Sequence, residues 1–332
     1  MRSPSEFHED HVPGAINCPV LDDAERAEVG TIYKQVSSFD AKKIGAALVA
    51  RNVSRHLETR FKDRPRNWKP LIYCWRGGKR SGAMAHIFSE VGWAAAQLEG
   101  GYKAYRRAVI TDLAALPGAF RWQVICGPTG CGKSRLLRSL AELGAQILDL
   151  EALAAHRGSV LGDLPDEPQP SQKMFESRIW WTLRGMRRER PVFVEAESKK
   201  IGVLRLPEAL IAAMWESGCV RLEADLPIRI ALLKEEYAHF LTDTQRFHAS
   251  LDCLKNLYGN EVICRWKALA DAGSWDELVT ELLEKHYDPA YGKSILKHYP
   301  DYPAAPVLRV GNSRDETFVD LARRLLAREA GK

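Results

Sequence analysis

Arg121-Trp122-Gln123-Val124-Ile125-Cys126-Gly127-Pro128-Thr129-Gly130-Cys131-Gly132-Lys133-Ser134 is the stretch whose reading decides the fold. The run Arg121 to Cys126 reads as a buried strand, and Gly127 to Ser134 is a full G-x-x-x-x-G-K-S match. Leu136, Leu137, Leu140 and Leu143 then recur on one side of an amphipathic helix. The chemistry needs this order. Glycines let backbone amides approach phosphate oxygens, Lys133 reaches the terminal phosphates, and Ser134 can ligate magnesium. Gly127, Gly130, Gly132, Lys133 and Ser134 are therefore the candidate phosphate-binding residues.

Working outward, strands and helices alternate. Gln146 to Leu148 reads as the next strand, ending at Asp149 and Glu151, and Leu161 to Pro170 as a loop. From Ser171 a helix carries Phe175, Ile179, Leu183 and Met186. Lys173, Arg178, Arg184, Arg187, Arg188 and Arg190 make its other faces the densest basic stripe of the chain, with Trp180 and Trp181 beside it. Such a stripe is either a solvated face over core tryptophans or a track for a nucleic-acid backbone. Pro191 to Ser198 reads as an apolar strand ending in carboxylates, in the place of the Walker B strand, so Glu195 is a candidate magnesium or acid residue where Asp is usual. The basic loop Ser198 to Gly202 follows, with Lys199 and Lys200. Further helices are expected at Glu208–Ser217, Ile228–Leu241, Glu261–Leu283 and Glu316–Ala327, and strands at Val220–Ala224 and Val307–Val310. Alternation of this kind around a phosphate loop means a parallel α/β domain.

Upstream stands a second reactive stretch, Leu71-Ile72-Tyr73-Cys74-Trp75-Arg76-Gly77-Gly78-Lys79-Arg80-Ser81. It reads as a short strand, a tight glycine loop, and a helix that Ser81 opens and Gly82 to Val91 continues. Cys74 thus sits at a strand's carboxyl end, with loop amides curling round its sulfur. Arg76, Gly77, Gly78, Lys79 and Arg80 form a candidate anion nest, which should depress the Cys74 pKa. Cys74 and Arg80 also satisfy C-x5-R, the spacing of cysteine phosphatases. Before this stretch, Ala15 to Val20 reads as a strand and Leu21 to Arg60 as two helices; after it, Ala94 to Leu98 reads as a strand. Ala114 to Phe120 marks a boundary, giving domains at 1–116 and 117–332.

The bulk numbers agree with two soluble domains. The chain has 332 residues, 45% hydrophobic and 27% charged. No apolar run reaches membrane-spanning length and no signal-peptide core opens the chain. Seven scattered cysteines without a C-x-x-C pair fit reduced thiols in the cytoplasm, not a disulfide framework or a zinc site. A net charge of +5 permits a nucleic-acid partner without requiring one.

Two resemblances sharpen this. Phe7-x-x-x-His11-Val12-Pro13-Gly14-Ala15, the Cys74 loop and Gly100-Gly101-Tyr102 resemble the signatures of rhodanese-like domains. That family has an Asp-Val-Arg strand before the first signature, and this chain begins at Met1-Arg2, so most of that strand is expected to be absent. With the phosphate loop, and with Gly30-Thr31-Ile32-Tyr33-Lys34-Gln35, His156-Arg157-Gly158-Ser159, Gln169-Pro170-Ser171-Gln172-Lys173 and Val194 to Gly202, the order along the chain resembles the tRNA 2-selenouridine synthase family.

The resemblance implies a rhodanese-like domain followed by a P-loop domain. It also implies a cytoplasmic transferase that converts 2-thiouridine to 2-selenouridine at the wobble position of tRNAs for lysine, glutamate and glutamine. Selenophosphate is the implied selenium donor, and S-geranyl-2-thiouridine, made from geranyl diphosphate, the implied intermediate. Cys74 maps to the residue that carries selenium as S-selanylcysteine. Given the family, Lys173, Arg178, Arg184, Arg187, Arg188, Lys199 and Lys200 become candidate tRNA contacts. No tightly bound cofactor is expected; the resemblance leaves room for Mg2+ and for a selenophosphate-supplying enzyme as partner. Geranyl diphosphate and ATP present the same two-phosphate unit to the loop. The alternatives are a rhodanese-type sulfurtransferase, or a cysteine phosphatase with a nucleotide-binding domain.

Overall fold

A computed structural model describes residues 1–331. It has two compact units, Met1–Asp112 with Pro170–Trp181, and Leu113–Gln169 with the chain from Thr182 onward.

In the first unit, α1 (Pro4–Glu9) precedes α2 (Asp23–Gln35), whose start is a reciprocal capping box between Asp22 and Glu25. Ser37 caps α3 (Ser38–Thr59) by accepting from the Asp40 amide at 3.1 Å. β1 (Leu71–Ile72) and β2 (Ala96–Gln97) pair in parallel, joined by α4 (Lys79–Glu90), and α5 (Gly101–Ala115) follows. The core gathers Val20, Val53, Ile72, Met84, Phe88 and Trp93.

Two expectations are corrected here, and one helix is added. Ala15 to Val20 is irregular, not a strand, because side chains of α3 take its carbonyls. Arg60 donates to Asn17 O at 2.8 Å, Asn52 to Val20 O at 3.0 Å, and a His56 ring nitrogen lies 2.8 Å from Pro19 O. The helix after Cys74 begins at Lys79, before Ser81, with Gly78 as its N-cap. The glycine-pair segment opens a helix of its own, α5, whose length the apolar spacing did not reveal.

The second unit is built on a five-stranded parallel sheet in the order β4-β5-β3-β8-β9. Its elements begin with β3 (Trp122–Cys126), α6 (Lys133–Glu142), β4 (Gln146–Leu148), α7 (Leu150–Ala154) and β5 (Val192–Glu195), while α8 (Gln172–Arg184) belongs to the first unit as far as Trp181. A short antiparallel pair, β6 (Lys200–Ile201) with β7 (Leu204–Arg205), lies where the basic loop was expected. Then come α9 (Glu208–Trp215), β8 (Cys219–Ala224) and a run of helices: α10 (Leu226–Glu236), α11 (Ala238–Thr242), α12 (Thr244–Asp252), α13 (Lys255–Asp271), α14 (Trp275–Leu282) and α15 (Asp288–His298). β9 (Val307–Val310) and α16 (Asp315–Ala330) close the chain.

The expected helix Glu261–Leu283 is in fact two, broken at Gly273, which takes φ +69°. The basic helix ends at Arg184, so Met186, Arg187, Arg188 and Arg190 lie in the turn beyond it. Because β3, β4 and β5 run parallel, their carboxyl ends share one edge of the sheet, where ligands of open α/β folds bind.

Candidate functional site

Cys74 lies just beyond β1 and is 3% exposed. Gly77 (φ +64°) and Gly101 (φ +57°) let the cysteine loop and the next turn close on each other. A Cβ on Gly101 would stand 2.4 Å from Cys74 O, and one on Gly77 2.5 Å from Leu98 O. The Tyr102 and Lys103 amides donate to the carbonyls of Cys74 and Trp75 at 2.9 and 3.0 Å. Gln97 donates to the Gly78 carbonyl at 3.0 Å and to Ser81 Oγ at 2.7 Å.

Burial alone would push the Cys74 thiol up. The Ser81 hydroxyl, 3.1 Å away, and the amides of Ser81, Gly78 and Arg76 outweigh it, so its pKa falls below the usual thiol value. Of the predicted nest, Arg76 and Lys79 are exposed, while Arg80 is partly buried with Glu6 at 3.9 Å. Ser81 and Gln97 escaped the sequence reading; a serine opening the helix was visible there, but its inward turn was not.

In the second unit, Gly130 and Gly132 take φ +81° and +86°, and a Cβ on Gly132 would stand 2.5 Å from the Phe318 ring. Lys133 Nζ donates to Gly127 O at 3.0 Å, and the Gly127 amide donates to Tyr291 Oη at 2.6 Å. Ser134 Oγ lies 3.4 Å from a Glu195 oxygen and 3.5 Å from a Glu151 oxygen. The loop lines a cavity of about 530 Å³ that also receives Arg157, Glu197, Tyr237 and Tyr287.

One oxygen each of Glu151, Glu195 and Glu197 lies within 4.8 Å of the other two. Burial raises all three carboxyls against the pull of Lys133, with repulsion from Glu195 and Glu197 adding at Glu151, from Glu197 at Glu195 and from Asp149 at Glu197; Glu195 is pushed up to about 8 and Glu197 to about 7. Burial works against the Lys133 ammonium, but the charges of Cys131 and these carboxylates hold its pKa above the usual lysine value. Glu195 Oε1 is buried with no hydrogen-bond partner. An all-oxygen donor set with one orphaned oxygen, next to Ser134, fits a hard divalent cation such as Mg2+. Such a cation would neutralise phosphate charge as a bond to phosphate breaks. Glu151 and Glu197 extend the single sequence candidate, Glu195; their signal was position, at or just past the carboxyl ends of adjacent strands.

Two motifs acquire physical reasons. Gly158 (φ +67°) lies against Glu151, where a Cβ would meet the carboxylate at 2.4 Å, while Arg157 pairs with Glu236 at 3.1 Å. Gln169 ties the Ala154 and Ile201 carbonyls together at 3.3 and 3.1 Å and accepts from the Val203 amide at 2.9 Å.

The basic candidates are divided between the two units. Lys173 pairs with Glu9 at 2.5 Å, and it and Arg178 belong to the first unit. Arg184, Arg187, Arg188, Lys199 and Lys200 are exposed in the second. Trp180 is 9% exposed and belongs to a core, whereas Trp181 is 52% exposed.

A family model for the tRNA 2-selenouridine synthase AAA domain matches residues 120–302, and one for the rhodanese-like domain matches residues 1–108. The tRNA 2-selenouridine synthase of Nitrosomonas europaea is 36% identical over 244 residues, 71% of this chain and 62% of that protein. That of Shewanella halifaxensis is 32% identical over 325 residues, 89% of this chain and 88% of that protein. That of Marinobacter nauticus is 34% identical over 249 residues, covering 74% and 66% of the two chains.

Proposed function

The chain belongs to the tRNA 2-selenouridine synthase family, and from that premise we propose that it acts on tRNA, replacing the sulfur of 2-thiouridine with selenium in two steps. In the first, the thiouridine sulfur attacks C1 of geranyl diphosphate. A C–S bond forms, the C–O bond breaks, and diphosphate leaves with the electron pair. The P-loop and Lys133 receive that charge, and Glu151, Glu195 and Glu197 would hold a cation that would neutralise more of it. In the second step, the selenium of selenophosphate, held in the anion nest of the Cys74 loop, attacks C2 of the base: a C–Se bond forms, the C–S bond breaks and geranylthiolate leaves with the electron pair, and water then cleaves the P–Se bond to release phosphate. S-alkylation turns a poor leaving group into a good one.

One observation carries the choice of geranyl diphosphate over ATP. The polar phosphate cavity shares Thr129, Leu233, Tyr237 and Tyr287 with an apolar pocket formed by Phe240, Phe247, Leu278 and Leu282. A diphosphate head and a hydrocarbon tail match that sequence of surroundings, whereas a ribose would set its hydroxyls against the apolar side chains. The pocket holds about 60 Å³, less than a ten-carbon chain, so these side chains would have to part for the tail to enter. No helix among the described residues is long and apolar enough to cross a membrane.

Nucleoside mass spectrometry of tRNA from cells expressing each variant tests the division of labour. Cys74→Ser should abolish 2-selenouridine while S-geranyl-2-thiouridine accumulates, and Lys133→Ala should reduce both. Loss of geranylation in a folded Cys74→Ser protein would overturn the scheme.

A further inference from the structure

The first unit has a groove of about 780 Å³ that the cysteine site does not use. It runs between α2, α3 and the start of α4. Gly45 and Ala46 of α3 and Ala83 of α4 occupy positions where larger side chains would fill it. Val29, Val49 and Ile87 supply apolar lining, and Tyr33 of the Gly30-Thr31-Ile32-Tyr33-Lys34-Gln35 motif lines it from α2. The apolar surface continues over the α2–α3 turn, where Tyr33, Val36 and Phe39 are 56%, 76% and 67% exposed. A monomer seldom leaves such side chains grouped in water without use for them.

The charge around the groove has one sign. Arg26, Lys34, Lys42, Lys79 and Arg80 line it, and no acidic side chain does. Lys34, Lys42 and Lys79 have no ion-pair partner among the described residues. Arg26 and Arg80 have only Glu6 of α1, at 3.5 and 3.9 Å, and Arg80 Nη1 is buried without a hydrogen-bond partner. The inner end of the groove is also the outer face of the cysteine site: Lys79 and Arg80 open the same helical turn whose Ser81 holds the Cys74 sulfur.

An apolar slot under unpaired cations suits a hydrocarbon chain attached to a polyanion. We propose that this groove binds the prenyl chain of the S-prenylated nucleotide during selenium transfer, with Lys34, Lys42 and Lys79 meeting the phosphates of the same RNA. The chain would thus have two seats, one in the phosphate-loop unit as a diphosphate ester and one beside Cys74 as a thioether on RNA. This assignment rests on the reading that the thiouridine is prenylated before selenium replaces it. It gives the Gly30 to Gln35 motif a task.

The test uses the full chain and a synthetic anticodon stem-loop carrying S-geranyl-, S-methyl- or unalkylated 2-thiouridine. Ala46→Trp and Ala50→Leu change exposed alanines on the groove side of α3, and circular dichroism checks that each variant folds. The wild type should bind the S-geranyl RNA about tenfold more tightly than the unalkylated RNA by fluorescence anisotropy. Both variants should lose that difference, and the ratio of kcat/KM for selenation of S-geranyl over S-methyl RNA should fall about tenfold. If the wild type selenates S-geranyl RNA and neither ratio moves in a folded variant, the groove assignment is wrong while the two-step reading stands. Anionic phospholipid vesicles that bind the wild type and not the variants, with RNA binding unchanged, would likewise overturn it. A wild type that cannot selenate S-geranyl RNA overturns both.

Discussion

Ser81 Oγ lies 3.1 Å from Cys74 Sγ, and it reaches there because α4 starts two residues earlier and turns Ser81 inward. The hydroxyl donates to the sulfur, so it favours the thiolate. Ser81→Ala removes one donor from the charged form and leaves the burial that opposes it. The pH midpoint of Cys74 alkylation should rise by about one unit, a hydrogen bond to a charged group contributing about 1.5–3 kcal/mol before rearrangement. The reaction with a bimane reagent, followed from pH 5 to 10, gives that midpoint. An unchanged midpoint would mean the amides of Arg76, Gly78 and Ser81 suffice alone.

Residues near in sequence were legible; convergence of distant ones was not. Gly127 to Ser134 announced a phosphate loop because its chemistry is confined to eight consecutive residues, and the strands around it came out at β3, β4, β5, β8 and β9. The false strand at Ala15 to Val20 had the right apolar content, and Val20 is indeed buried. What periodicity could not show is that Asn52, His56 and Arg60 would take its carbonyls from across the unit. Glu151, Glu195 and Glu197 are brought together only by the parallel pairing of β4 with β5, a register that no local pattern states.

That carboxylate cluster sets a pH dependence. Without a cation, burial pushes Glu195 up to about 8 and Glu197 to about 7, from the ordinary 4.5 of such a carboxyl. Between those values the folded state holds protons the unfolded chain has released, so stability falls as pH rises through the window. A bound cation reverses this, because it needs the carboxylates ionised. The rise in Tm on adding saturating Mg2+ should therefore be larger at pH 8.5 than at pH 6. Glu195→Gln should flatten the difference. A Mg2+ effect that is equal at both pH values would remove the cluster as the binding site.

Arg229 joins α15 to the phosphate loop. Its Nε donates to Thr129 O at 2.9 Å, and its two terminal nitrogens donate to Asp288 at 2.9 and 2.6 Å. Asp288→Asn leaves a guanidinium that is 7% exposed with half its partner gone. The cost should be about 1–3 kcal/mol in urea unfolding, below the full value for a buried pair because Asp288 itself is 38% exposed. Calorimetric titration with geranyl diphosphate should show weaker binding as the loop loses its anchor. Arg229→Lys should fare no better, since one ammonium cannot reproduce the fork.

Trp180 and Trp181 are adjacent in sequence and should behave oppositely. The Trp180 indole donates to Asp112 at 2.8 Å and meets Tyr105 edge-on at 5.5 Å, both within the first unit. Trp180→Ala opens a cavity and removes the indole's hydrogen bond, a loss of about 3–5 kcal/mol in denaturant unfolding. Trp181, 52% exposed, has little to lose on truncation, and Trp181→Ala should stay within about 0.5 kcal/mol of the wild type. An exposed indole is expected instead to stack on a base of the bound tRNA. Filter binding of tRNA should then weaken about five- to hundredfold in Trp181→Ala, the range for one lost stacking partner. If tRNA affinity is unmoved by Trp181→Ala but falls with Lys199→Ala and Lys200→Ala, the nucleic acid is held by the β6–β7 arm and not by the end of α8.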